Sequence, residues 1–304
     1  FLTLLAFTSC ERMPLYDLDR SARLELDLKL ELDLDLDLDV DVDLEIDTVI
    51  KAPEHMKVLF YAPVSNGLQY TEFVDGTSGE ISTPPGSYQM VVYSFGTEYT
   101  QIRGEGDIMT LEAFTSDITE TKSSALRGFT REGAEEPQGP IIYCPDHLLV
   151  AREAVTIPDW TSEVQTVTLH ATASTILETY TFEVHSVVGA EYIESCEAFV
   201  TNQARSSFFG RGEVNSQPAT LSFPVGVDRR KGCLYTTFTT FGKLPGDSHA
   251  YLHVLIRDTG GEEHHITEDI TEQFEDPDHH IKIEEPVEVP EPPSHGGGIA
   301  PSVD

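Results

Sequence analysis

The chain is predicted to be all-β, and three observations carry that prediction. The stretch LELDLKLELDLDLDLDVDVDLEID, residues 24–47, alternates without a break: even positions hold Leu, Val or Ile, and odd positions hold Asp or Glu except at Lys29. A two-residue period gives an extended strand one oily face and one charged face. Elsewhere, short runs rich in Val, Thr, Tyr and Phe are punctuated by Gly, Pro, Asn and Asp, the pattern of strands separated by turns. No long helical period appears, so helices are not expected to build the core.

The repeat poses a problem of length. At roughly 3.3 Å per residue it would reach about 80 Å, whereas a domain of about 150 residues has a radius of gyration of about 15 Å. The run must therefore bend at a bulge, pass from one sheet or domain to another, or leave part of itself unpaired. Its period fixes the buried face but leaves register loose, because a slip of two residues restores the pattern. The acidic row does not form a ready calcium site. Carboxylates on one face sit roughly 7 Å apart, calcium wants six to eight oxygens at about 2.3–2.6 Å and usually a glycine turn, and the run has no glycine. A diffuse, salt-screened acidic face is expected instead.

With 304 residues the chain is long enough for two domains with cores of their own. Its 53 acids against 19 bases give a formal charge of −34, which argues against nucleic acid or bare anionic membrane as partners.

Taken in order, the chain opens on FLTLLAFTSC. An apolar run ending in small residues before Cys10 resembles the end of a bacterial lipoprotein export signal, whose charged leader would lie upstream of Phe1. On that reading residues 1–9 are removed and acyl chains on Cys10 tether the protein to a membrane; the other reading is an internal apolar strand. No other segment is long enough to cross a bilayer. Three cysteines remain, so at most one bridge forms among them. Cys196 and Cys233, in neighbouring β-rich segments, are the preferred pair, and the spacing fits no zinc motif.

Residues 11–23 read as a polar arm, with Pro14 opposing a helix. After the repeat, MKVLFYA (56–62) is a buried strand, SNG (65–67) a turn and LQYTEFV (68–74) its hairpin partner. A turn at 75–80 follows; then Pro84, Pro85 and Gly86 turn the chain, Gly86 at positive φ, into a strong strand from Tyr88 to Phe95. Further strands are expected at 108–114 and 148–155, with a polar loop near 127–139. IPDW (157–160) reads as a junction. Beyond it, strands are expected at 164–172, 175–187, 197–202, 219–225, 233–242 and 249–258, then a helical turn within 267–275 and an extended HIKIEEPVEVP. That spacing suits a sandwich. The expected organisation is a signal remnant 1–9, an arm 10–23, β-sandwich domains 24–157 and 158–288, and a flexible tail 289–304.

Nothing in the chain announces catalysis. Phosphate-loop, GxGxxG and HExxH motifs do not occur, and the HGGG at 295–298 has no GxSxG partner. His264–His265 and His279–His280 are adjacent pairs, which point to opposite faces of a strand; solvated turn residues are the favoured reading over a metal site. With 53 acids, a carboxylate pair at glycosidase spacing arises by chance. Trp160, the only tryptophan, is read as a core or interdomain residue rather than a sugar platform. No cofactor, metal or catalytic residue is expected.

Several motifs nevertheless carry a family likeness. The cysteine followed by ERMPLYDL, the MKVLFYAP strand, PPGSYQMVVYSF followed by TEYT, the PDHLLVA segment, and AFVTNQARSSFFGRG leading into TTFTTFG together resemble Bacteroidota outer-membrane lipoproteins related to the fimbrillins. Among these, the sequence is most similar to anchor or accessory subunits of type V fimbriae. The resemblance implies two tandem transthyretin-like β-sandwiches, lipid-anchored at the outer membrane and displayed at the cell surface. It implies a structural or adhesive role with fimbrial subunits as partners, joined when a strand of one protein completes the sheet of another. A surface module that binds glycans or a host protein outside any pilus is the alternative. The Leu-Asp run exceeds what a first strand in that group needs, and the sequence ends with GGGIAPSVD.

Overall fold

A computed structural model describes residues 21–31, 50–118, 139–159, 166–244, 246 and 248–293. Cys10, Trp160, the HGGG tail, most of the 127–139 loop and the repeat beyond residue 31 lie outside the described residues.

The fold is all-β. The first half supplies β1 (Ser21–Leu28), β2 (His55–Tyr61), β3 (Leu68–Asp75), β4 (Ser78–Ile81), β5 (Gly86–Ser94), β6 (Thr100–Arg103), β7 (Glu112–Thr115), β8 (Ile141–Tyr143), β9 (Leu149–Ile157) and β10 (Thr166–Thr175). Seven of these form one sheet in the order β3-β2-β5-β9-β10-β1-β4. Its two wings meet at a corner where β9 and β10 share only Ser174↔Val150 and Thr175↔Leu149. They enclose a common core of Leu24, Leu26, Met56, Val58, Phe60, Met90, Val92, Leu169 and Ala171. The expected 157–160 junction therefore falls between two strands of the first sandwich, and the chain leaves that sandwich after Thr175.

The second half supplies β11 (Glu178–Val184), β12 (Val187–Val188), β13 (Ile193–Ala204), β14 (Ser206–Phe208), β15 (Glu213–Val214), β16 (Pro218–Pro224), β17 (Gly226–Asp228), β18 (Cys233–Thr240), β19 (Tyr251–Asp258) and β20 (Glu263–Asp269). A one-turn helix, α1 (Thr271–Phe274), then leads to β21 (His280–Ile283) and β22 (Val287–Glu288). Sheets β20-β19-β13-β16-β8 and β17-β18-β11-β21 share a core in which Tyr180 stacks on Phe274 at 4.1 Å and Phe223 on Phe238 at 4.4 Å.

The halves exchange strands. β8 joins the second sandwich by pairing parallel with β16, while β14 and β15 extend the β7-β6 pair of the first half into a four-stranded sheet. A register shift between Val200 and Gln203, with Asn202 at φ 55°, breaks the ladder of the long strand β13 before it reaches β14. Next to this sheet lies a third cluster that draws Leu59, Tyr61, Val91 and Tyr93 from the first half and Ala204, Phe209 and Phe241 from the second. β2 and β5 are thus buried on both faces, which is why MKVLFY and MVVYS are continuous apolar runs rather than alternating ones.

Several local expectations are corrected. Residues 108–110 form a 3₁₀ turn, not strand, because Asp107 accepts a hydrogen bond from the Met109 N–H at 2.8 Å and caps it. The 206–218 segment contains β14 and β15, short ladders without an alternating apolar signal. Cys196 and Cys233 stand as free thiols on strands of opposite sheets, not as a bridge, and burial pushes the Cys196 thiol up to about 12. The histidine pairs sit at or in strands rather than solvated turns. His264 Nε2 lies 3.0 Å from Asp258 Oδ2, His279 stacks on Tyr180, and the largely buried His280 has its Nε2 3.2 Å from Glu183 Oε2. They do not converge, and among the described residues no group of three metal-ligating side chains is assembled.

Candidate strand-docking slot

The feature that distinguishes this fold is the seat of β1. It lies between β10, paired parallel over eight positions from Ser21↔Thr166 to Leu28↔Ala173, and β4, paired antiparallel from Ala22↔Ile81 to Glu25↔Ser78. Alternation places the side chains as the period requires. Ala22, Leu24 and Leu26 are 1%, 0% and 7% exposed and face Ile81, Leu169, Ala171 and Ala173 in the core. Arg23, Glu25 and Asp27 face outward, where Arg23 Nε lies 3.4 Å from Glu25 Oε1 and His170 Nδ1 lies 3.6 Å from Glu25 Oε2. These contacts are half in water and contribute little to affinity for the slot.

What holds β1 is therefore a main-chain ladder and a row of alternate apolar side chains. Beyond the ladder, the Leu26 N–H donates to Thr77 O at 2.7 Å and the Lys29 N–H to Ala173 O at 2.8 Å. Gly79, opposite Leu24, has a further role: a Cβ there would lie 2.9 Å from Val74 Cγ1, so the small residue lets the Val74 side chain close the slot. Nothing in this contact set reads a particular polar group. Any extended segment with apolar residues at every second position meets its demands.

The excess of acids, a formal charge of −34, predicts a salt effect. Carboxylates about 7 Å apart repel by roughly half a kcal/mol in water. Melting temperature is expected to rise as NaCl is raised from 0.05 M to 0.5 M (about, by screening length), and a flat profile in differential scanning calorimetry would contradict the repulsion.

A cavity of about 600 Å³ opens near Ile50, whose N–H donates to Leu30 O at 2.6 Å just beyond β1. Its walls include Lys51, Glu54, Phe95, Glu98, Asp146 and His147. The polar groups there serve the loops. Asp146 Oδ2 accepts from the Tyr99 and Thr100 N–H groups at 2.5 and 3.0 Å, and His147, its pKa pushed down by burial, lies 3.2 Å from Thr175 Oγ1.

Sequence reasoning placed Leu24 and Leu26 on a buried face, and the slot confirms that side of the strand. It did not find the slot's walls. The only signal there is that Leu169, Ala171 and Ala173 alternate with polar residues, which marks a strand without naming its neighbour.

The geometry defines an all-β sandwich protein with a strand-lined slot. Its chain belongs to the DUF5119 family, a domain of unknown function whose pattern matches residues 33–224. It is 27% identical over 197 residues to a Bacteroides ovatus protein described as "putative fimbrium anchoring subunit Fim4B"; the match covers 61% of this chain and 52% of that protein, so the chain spans about half the length of that relative. The relationship to fimbrillin-related anchor proteins expected from the motifs therefore holds. In fold, the chain is similar to the crystal structure of a putative adhesin from Bacteroides ovatus, with a TM-score of 0.55 at 21% identity, over 92% of this chain and 99% of that one. The fimbrial anchor protein Mfa2 from Porphyromonas gingivalis aligns at a TM-score of 0.47 and 13% identity, covering 83% of each chain. No helix among the described residues is long and apolar enough to cross a membrane.

Proposed function

We propose that this protein is a cell-surface lipoprotein that acts as a fimbrial anchor, accessory or adhesin-like structural subunit, without catalysis. The observation that carries the reading is the slot: β1 is held by backbone pairing and alternate apolar side chains, so the site suits exchange of one strand for another. Kinship with a fimbrium anchoring subunit of Bacteroides ovatus supports the same role. On this reading the two sandwiches are tandem transthyretin-like domains, and fimbrial subunits associate through strand complementation. Cys10, preceded by the apolar FLTLLAFTS, carries the acyl chains that hold the protein at the outer membrane.

Cys10→Ala is the test of the anchor. The variant is expected to release fimbrial polymer into the medium, and polymer should co-purify with the unmodified protein. Fibres that stay cell-bound in the variant, measured by immunoblot of washed cells against supernatant, count against the proposal.

A further inference from the structure

Period admits an alternating strand to the slot of β1, but it does not say in which register that strand is held. The walls do. Ala22 is 1% exposed and lies between two bulky residues, Val167 on β10 and Ile81 on β4. Leu24 has Gly79 on its β4 side, and Leu26 and Leu28 lie beside Ala171 and Ala173. On the outer face, Arg23 stands opposite Glu80. The repeat alone cannot keep this alignment, since every even position from 24 to 46 carries Leu, Val or Ile. A slide of two residues in one direction would force Leu24 between Val167 and Ile81, overfilling a packed position, and would set Glu25 opposite Glu80. A slide in the other direction would bring Arg20 to the buried place of Ala22 and leave Ala22 beside Gly79, where it fills less of the core.

We propose that Ala22 and Arg23 set the register of the strand in the slot, and that a strand supplied by another protein seats there by the same rule. Such a strand carries a small residue between Val167 and Ile81, a cation opposite Glu80, and Leu, Val or Ile at every second position that follows. Registers two residues apart share one backbone ladder and one period, so only side-chain size and charge at these first positions separate them. The register rule concerns this chain alone. The rule for an incoming strand rests on the exchange of strands proposed for the slot.

The test uses the full chain. Asp27 pairs with Thr172 in the observed register, and a slide that seats Leu24 in the place of Ala22 would set it opposite His170; all three residues are exposed. Asp27→Cys is combined with Thr172→Cys or with His170→Cys, oxidised glutathione is added, and bridges are located by peptide mapping. The parent chain is expected to bridge positions 27 and 172 and not 27 and 170. Ala22→Leu/Arg23→Glu, which continues the alternation without a break, is expected to raise the fraction bridged between 27 and 170 at least about ten-fold. Equal bridging of both pairs in the parent, or an unchanged fraction in the variant, would overturn the register rule. For an incoming strand, the Leu24→Asp protein, in which β1 is expected to leave the slot, is given the peptide of residues 21–31 or the same peptide with both substitutions. Hydrogen exchange of β10 and β4 reports occupancy. The substituted peptide is expected to bind at least about ten-fold more weakly, and equal binding would overturn the rule for incoming strands. If neither peptide binds, the exchange reading of the slot falls and the rule for incoming strands falls with it, while the bridges decide the register rule independently.

Discussion

Leu24→Asp is expected to cost the first sandwich at least about 4 kcal/mol and to unseat β1, because truncating a fully buried Leu alone costs about 2–5 kcal/mol and a buried unpaired carboxylate adds to it. Leu24 is 0% exposed and touches a core shared by both wings of the seven-stranded sheet. Its neighbours make the control. Asp27, on the outer face of the same strand, should tolerate Asp27→Asn within about 0.5 kcal/mol. Urea unfolding measures both, and hydrogen exchange locates the effect: amides of β10 and β4, which flank β1, should lose protection in Leu24→Asp. A peptide of residues 21–31 added in excess should restore that protection if the slot accepts a strand supplied from outside. Equal costs for the two substitutions would show that alternation does not set the burial of β1.

The second large effect is expected where the two halves are tied together. Arg103 on β6 donates to Glu112 on β7 through Nε at 2.6 Å and a second nitrogen at 3.0 Å. Ser206 on β14, from the other half of the chain, donates to the same carboxylate at 2.5 Å and in turn accepts from Asn215 at 2.8 Å. Glu112 is buried, whereas the Arg103 side chain is 56% exposed and lies over the Phe114 ring. Arg103→Ala would leave a buried carboxylate short of its cation; with Arg103 half in water the loss, read from urea unfolding, is expected to be about 1–3 kcal/mol, below the roughly 3–5 kcal/mol of a fully enclosed pair.

Acid should act on the same contact. Burial on its own would raise the Glu112 carboxyl, but hydrogen bonds from Arg103 and Ser206 outweigh it and hold the group below its ordinary value. A carboxylate depressed in the folded state stabilises fully above its unfolded pKa of about 4.3 and loses that contribution as pH falls below it. Glu112→Gln should therefore be less stable than the parent near neutrality and lose less on acidification toward pH 3, a difference that urea midpoints across pH would reveal.

Much of the fold was legible because burial imposes a period. Tyr88 was expected to open a strand after a turn at Gly86, and it lies in β5 with its hydroxyl donating to Pro84 O at 3.0 Å, while Gly86 has φ 156°. The hairpin at Asn66, φ 59°, was equally readable from SNG. The strand exchanges were not. Ile141–Tyr143 and Ser206–Phe208 are three-residue strands whose partners lie far along the chain: Ile141 pairs with Thr220, 79 residues on, and Ser206 with Phe114, 92 residues back.

By itself the sequence determined the all-β class, the buried face of β1 and most strand positions, since each follows from side-chain alternation and turn chemistry within a few residues. Only the tertiary structure decided that β1 pairs parallel with β10, that β8 and β14 cross between the halves, and that Cys196 and Cys233 lie on opposite sheets. Neighbour choice between strands is a contest among many ladders of nearly equal local merit, and it is settled by which arrangement buries the most apolar surface at once.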